Sequence, residues 1–141
     1  STGYGNITPW KCARDIAEEE LAKKIDEMAS QVRSIESSVF NLHAPPYDTR
    51  LDDAPELDKE LRPTYSASKL VPVGSTAVRA AIEKYQPLLG LHGHIHESKG
   101  NCKIGRTLCL NPGSLYTDGI LQGFLIEIDK KGIKRFSPTS G

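Results

Sequence analysis

The sequence predicts an α/β fold, with a sheet packed by helices on one side, and three observations lead there. Two stretches carry apolar residues at helical spacing, several short apolar runs are bounded by glycine and proline as strands are, and the two kinds alternate along the chain. At 141 residues with 38% apolar content the chain can bury one ordinary core, so one domain or part of one is expected.

The elements follow in order. Residues 3–10 contain glycine and proline and read as a loop. Asp15 with Glu18 three residues on has the form of a capping box, and a helix is expected over 16–33. Its apolar positions Leu21, Ile25, Met28 and Val32 are separated by 4, 3 and 4, with Glu18, Glu19, Lys23, Lys24 and Glu27 largely outside that stripe. Val39-Phe40-Asn41-Leu42 is a short apolar run that stops at His43-Ala44-Pro45-Pro46, a buried strand whose end delivers His43 to a loop. Residues 47–70 are charged and broken by proline, which predicts a long excursion. Ser75 is placed to cap a helix over 76–85, with Val78, Ala81, Ile82 and Tyr85 on one face and Pro87 past its end. A second buried strand over 88–91 runs directly into Gly93-His94-Ile95-His96, at the strand's C-terminal end where open sheets place ligands. Strands are expected over 107–110, 123–128 and 133–136, with residues 129–132 as the turn before the last.

Composition removes some classes of function. Eighteen basic against eighteen acidic residues leave no long-range field to gather nucleic acid or an acidic membrane surface. No apolar run approaches the ~18 residues of a membrane span and no leader pattern opens the chain, which predicts a soluble, cytoplasmic protein. Cys12, Cys102 and Cys109 are odd in number and widely spaced, as reduced thiols are. The chain begins Ser1-Thr2-Gly3, so either a segment has been removed or the sequence is a fragment. Oligomeric state is not legible.

The chemistry gathers at histidine. Three of the four histidines lie within residues 91–97, and His43 stands at the other strand end. In an extended chain, positions two apart project to one side, so His94 and His96 can present both imidazoles to one place. Gly93 lets the backbone come close to whatever they hold. His92 shares their parity, but Gly93 interrupts the strand, which favours a core or supporting role. A lone histidine is more often packing than ligand, and an H-x-H pair is stronger than either alone. Cys102 and Cys109 could in principle join His94 and His96 around zinc, although Cys109 within Leu108-Cys109-Leu110 reads as a small buried apolar residue. Glu97 either orients a histidine or lies on the surface, and Asn111-Pro112-Gly113-Ser114 has turn chemistry.

Phe40-Asn41-Leu42-His43-Ala44-Pro45-Pro46 resembles the fourth motif of calcineurin-like metallophosphoesterases, a strand-end histidine followed by prolines. Gly93-His94-Ile95-His96 is similar to their fifth motif, G-H-x-H, and Asn111-Pro112-Gly113-Ser114 resembles the N-P-G-S that follows it in many smaller members. The resemblance covers the chain apart from its last few residues. It implies that residues 1–141 are a partial domain, the C-terminal half of a metallophosphoesterase-type β-sandwich flanked by helices. It also implies hydrolysis of a phosphate-ester substrate at two divalent metal ions (Mn, Fe, Zn or Ni) standing ~3.5–4 Å apart. His43 and His94 would ligate one metal and His96 the other, with Asn111, Glu97 and His92 behind them. The family's D-x-H, G-D and G-N-H motifs do not occur: Gly5-Asn6 continues with Ile7. Those motifs supply the carboxylates and the leaving-group histidine, so this chain alone is expected to bind metal weakly and to be inactive. The alternative is a scaffold that keeps the fold as a protein-binding surface.

Overall fold

The structure, a computed structural model, describes residues 1–64 and 69–141. Ten strands and two α-helices are assigned among these residues. The helices are α1 (Glu18–Ala29) and α2 (Thr76–Tyr85). The strands are β1 (Gly5–Asn6), β2 (Asp15–Ile16), β3 (Val39–Asn41), β4 (Asp53–Pro55), β5 (Leu70–Pro72), β6 (Leu89–Leu91), β7 (Gly100–Ile104), β8 (Thr107–Asn111), β9 (Gln122–Asp129) and β10 (Gly132–Ser140).

A four-stranded sheet in the order β3-β6-β8-β7 organises the molecule, with β3, β6 and β8 parallel and β7 antiparallel at one edge. Alternation along β8 sends Cys109 to one face and Leu108 and Leu110 to the other. On the first face Phe40, Leu42 and Cys109 join Leu21, Ile25 and Ala29 of α1 and Val78, Ala81 and Ile82 of α2 in one core. On the second, Leu89, Leu108 and Leu110 pack with Phe124, Ile126, Ile133 and Phe136 from the β9–β10 hairpin. The fold is mixed α/β, with helices on one face of the central sheet.

Several expectations hold closely. Ser75 caps α2 by accepting from the Val78 N–H at 3.1 Å, and Gln86 closes that helix in the left-handed conformation with φ 49°. The expected first helix is shorter than 16–33. Asp15 and Ile16 are drawn into a parallel pairing with Gly5 and Asn6, residues read as loop, so α1 starts only at Glu18. At its far end the Ser30 hydroxyl and Gln31 amide turn back onto the Glu27 carbonyl, offering the backbone an alternative to helix, and Val32 is 37% exposed.

The expected capping box does not form. The α1 N-cap is Ala17, without a side-chain hydrogen bond. Asp15 instead accepts from the Thr8 N–H and hydroxyl at 2.9 and 2.6 Å and from the Cys12 N–H at 2.9 Å, fixing the loop before it. Glu18 caps the other helix, accepting from the Ser75 hydroxyl at 2.7 Å and the Ala77 N–H at 2.8 Å. The long excursion contains the antiparallel pair β4–β5, and its residues 65–68 lie outside the described residues. Strand β7 escaped the sequence reading because it is an edge strand with Asn101 and Lys103 exposed, too polar to read as an apolar run. Among the described residues, no helix is long and apolar enough to cross a membrane.

Candidate functional site

Because β3 and β6 are parallel neighbours, their C-terminal ends open on the same edge of the sheet. His43 follows the end of β3 by two residues and His94 follows the end of β6 by three. The two loops are tied together where the Gly93 N–H donates to the His43 carbonyl at 3.0 Å. His43 Nε2 and His94 Nδ1 stand 3.3 Å apart, with the rings edge to face at 5.0 Å between centroids. His96 lines the same groove, its ring set edge-on to Tyr116 at 5.4 Å.

The route to this convergence differs from the expected one. His94 has φ +67°, so the chain has left the extended conformation and strand alternation no longer governs where its side chain points. The left-handed turn, not the H-x-H parity, swings His94 toward His43 while His96 goes to Tyr116. Such a conformation in a residue other than glycine costs ~1–2 kcal/mol and is tolerated where the surroundings fix it.

His92, of the same parity, goes elsewhere altogether. It is buried on the helix side, and its Nδ1 lies 3.1 Å from the Leu42 carbonyl oxygen and 3.0 Å from that of Ala44. Both partners only accept, so Nδ1 carries the proton and Nε2 is bare, with no hydrogen-bond partner. The ring fits because residue 90 is glycine: a Cβ there would stand 2.7 Å from His92 Nε2. Burial pushes the His92 pKa down to about 4, against the two carbonyl contacts.

Asn111 is fully buried and supports the other loop. Its Nδ2 donates to the Leu51 and Ile95 carbonyls at 3.0 Å each, with the Gly93 carbonyl at 3.4 Å, while its Oδ1 accepts from the Gly113 N–H at 2.9 Å. The Ser114 N–H then donates to the His96 carbonyl at 3.1 Å. Glu97 lines the groove and is exposed; among the described residues it makes no hydrogen bond to a histidine.

The electrostatics favour the neutral form of His43 and His94. His43 has its pKa lowered first by desolvation, then by the Arg14 cation and His96. His94 is lowered by desolvation and by His43 and His96, with Asp15 opposing. Neutral imidazole is the form that ligates metal.

Whether these residues fit a metal is decided by the 3.3 Å separation. Two nitrogens bound to one ion at ~2.0–2.1 Å, with ~90–109° between them, lie ~2.9–3.4 Å apart. The His43–His94 separation is thus compatible with two ligands of a single ion, while His96 stands at Tyr116 in the same groove. Among the described residues, no three His, Cys, Asp or Glu side chains gather as a group that could hold a metal. The cysteines do not add to the set: Cys102 and Cys109 are cross-strand partners within the sheet, and hydrogen bonding to Cys102, then burial, raises the Cys109 pKa. The zinc arrangement with His94 and His96 is thus not formed.

The sequence reading missed Arg14, Asp15 and Tyr116, each near one histidine of the site. No local motif marks them as site residues: Arg14 and Asp15 arrive together ahead of α1, and Tyr116 arrives from the segment after β8.

A curated relative, described as an uncharacterized protein of Methanocaldococcus jannaschii, MJ1162, is 33% identical over 112 residues. The match covers 78% of this chain and 45% of the relative, so the chain spans about half the length of the curated relative it matches. No protein-family model matches the chain. No solved structure matches it.

Proposed function

We propose that this chain is the C-terminal half of a calcineurin-like metallophosphoesterase domain, a β-sandwich flanked by helices, and that the complete domain hydrolyses phosphate esters at two divalent metal ions. The observation that carries the reading is the pair of strand-end imidazoles, His43 and His94, held 3.3 Å apart on the loops after neighbouring parallel strands. The β9–β10 hairpin covering the sheet face opposite the helices supports the sandwich.

In this reading His43 and His94 hold one metal and His96 the second. When bound, the metals supply Lewis acidity toward the phosphoryl oxygens and the attacking water. The chain itself supplies neutral nitrogens fixed by buried supports, so little reorganisation is needed when the site is loaded. Arg14, close enough to His43 to lower its pKa, offers a guanidinium to a phosphate oxygen. Three neutral imidazoles cannot offset two divalent cations, so carboxylates from elsewhere in the whole protein are required.

The test is His94→Ala in the whole protein loaded with Mn²⁺. Loss of this ligand should lower hydrolysis of bis(p-nitrophenyl) phosphate or p-nitrophenyl phosphate by about a hundred- to thousandfold, ~3–4 kcal/mol of transition-state stabilisation. Metal content measured by mass spectrometry should fall with it, while thermal unfolding stays near wild type. The 141-residue chain alone should show no turnover above its own His94→Ala variant. If the folded whole protein hydrolyses no phosphate ester with any divalent metal, or His94→Ala matches wild type, the scaffold reading replaces this one.

A further inference from the structure

Strands β7 and β8 pair antiparallel at the outer edge of the central sheet, and Cys102 stands directly opposite Cys109. Opposed residues of such a pair have Cα atoms ~4.5–5.5 Å apart, inside the ~4.4–6.8 Å that a disulfide spans, so joining the two asks for no rearrangement of the backbone. Both side chains lie on the helix face, where Cys109 belongs to the core and Cys102 packs against it. Their surroundings are unequal. Cys109 is 0% exposed, whereas Cys102 is half-buried and lines a cleft of about 350 Å³. Thr49 and Arg50 from the excursion after His43, Arg79 from α2 and Lys103 form that cleft, with Asp48 and Asp53 beside them. It lies at the edge of the sheet farthest from β3 and is walled by this chain, so it draws neither on the histidine face nor on whatever completes that face.

The two sulfurs are also fitted for different roles. Hydrogen bonding with Cys109, then Thr49 and the Arg79 cation, lowers the Cys102 pKa against burial and Asp52, while the same bond and burial raise that of Cys109. The thiolate therefore forms at Cys102, where the cleft admits a small oxidant, and the proton stays on the sulfur behind it. We propose that Cys102 and Cys109 are a redox modification site, a reversible disulfide made when a hydroperoxide enters the cleft. The Cys102 thiolate attacks a peroxide oxygen and the O–O bond breaks. The departing alkoxide or hydroxide takes up the proton that Cys102 gave to solvent, leaving a sulfenic acid on Cys102. The Cys109 sulfur then attacks the Cys102 sulfur; the S–S bond forms, the S–O bond breaks, and the hydroxyl leaves as water with the Cys109 proton. The two thiols have lost two electrons and the hydroperoxide has gained them. Two equivalents of a small thiol reverse the step.

The test uses the whole folded protein with its thiols reduced. After treatment with hydrogen peroxide and alkylation of the remaining thiols, the tryptic peptides 100–103 and 107–130, cut apart at Lys103 and Arg106, should be found joined through Cys102 and Cys109. Dithiothreitol should separate them. In the reduced protein iodoacetamide should label Cys102 about tenfold faster than Cys109. Cys109→Ala should stop the reaction at a Cys102 sulfenic acid, trapped by dimedone, and Cys102→Ser should leave Cys109 unoxidised. Thermal unfolding shows whether each variant is folded, and the joined peptides of the unaltered protein need no variant. Peptides that stay apart at peroxide concentrations that oxidise the exposed Cys12 overturn the proposal. Cys109 labelled as fast as Cys102, or trapped by dimedone in folded Cys102→Ser, overturns the assignment of Cys102 as the attacking thiolate.

Discussion

The two loops that carry the histidines are held by the same device made from different side chains. After β3, the buried His92 engages the carbonyls of Leu42 and Ala44, on either side of His43. After β6, the buried Asn111 engages the carbonyls of Gly93 and Ile95, on either side of His94. In each case a side chain from a neighbouring part of the sheet fixes the peptide groups that flank a candidate ligand. The difference is that imidazole can take up a second proton and a carboxamide cannot. Support of His43 is therefore pH-dependent, and support of His94 is not.

The largest effect that would break the comparison is removal of the amide. Asn111→Ala should cost ~3–4 kcal/mol, because it opens a cavity and leaves buried carbonyls and the Gly113 N–H without partners. Denaturant unfolding measures this, and a loss below about 1 kcal/mol would mean that the loop after β6 is held by something else.

Next comes acid. The folded-state pKa of His92, about 4, lies below its ordinary 6.5, so the unfolded chain binds the extra proton first. The stability tied to this group is full above pH ~6.5 and is lost as pH falls toward ~4, by about 3 kcal/mol in all. His43 and His94, also lowered, act in the same direction. Unfolding free energy measured across that window should fall, and His92→Asn should flatten the slope to what those two histidines contribute. Asn111→Ala should lower the whole curve without changing its slope. A slope unchanged in His92→Asn would sink the asymmetry between the two supports.

A smaller loss is expected at Glu18, which caps α2 from a different helix. Glu18→Ala should cost ~1–2 kcal/mol by releasing the Ser75 hydroxyl and Ala77 N–H. Since α2 does not touch either histidine support directly through this cap, the acid slope should survive intact. The smallest effect sharpens the contrast between ligand and support. His94→Gly relieves the φ of +67° and should change stability by less than about 1 kcal/mol, since the relief is offset by glycine's greater chain entropy. Metal binding should nevertheless fall, measured by calorimetry with Mn²⁺ in the whole protein.

The sequence by itself determined the elements whose signals are local. The Ser75 cap and the apolar stripe of Val78, Ala81 and Ile82 specify α2 to the residue, and the abrupt stops at His43 and after Leu91 place histidines at strand ends. It also identified His43, His94 and His96 as the candidate ligands, which line one groove. Tertiary structure decided what parity could not. Alternation constrains side chains only while the chain is extended, and His94 has left that state; so His92, His94 and His96, two apart in sequence, end in three different surroundings. The supports were equally illegible, because His92 finds its carbonyls about fifty residues away and Asn111 reaches Leu51 across sixty. The same holds for Asp15 and Glu18, whose local spacing suggests a cap: each carboxylate instead went to the donors that folding brought near, a loop for one and another helix for the other. A hydrogen-bonding group in the sequence states what it can bond, and only the packed chain settles which partner reaches it first without cost in burial.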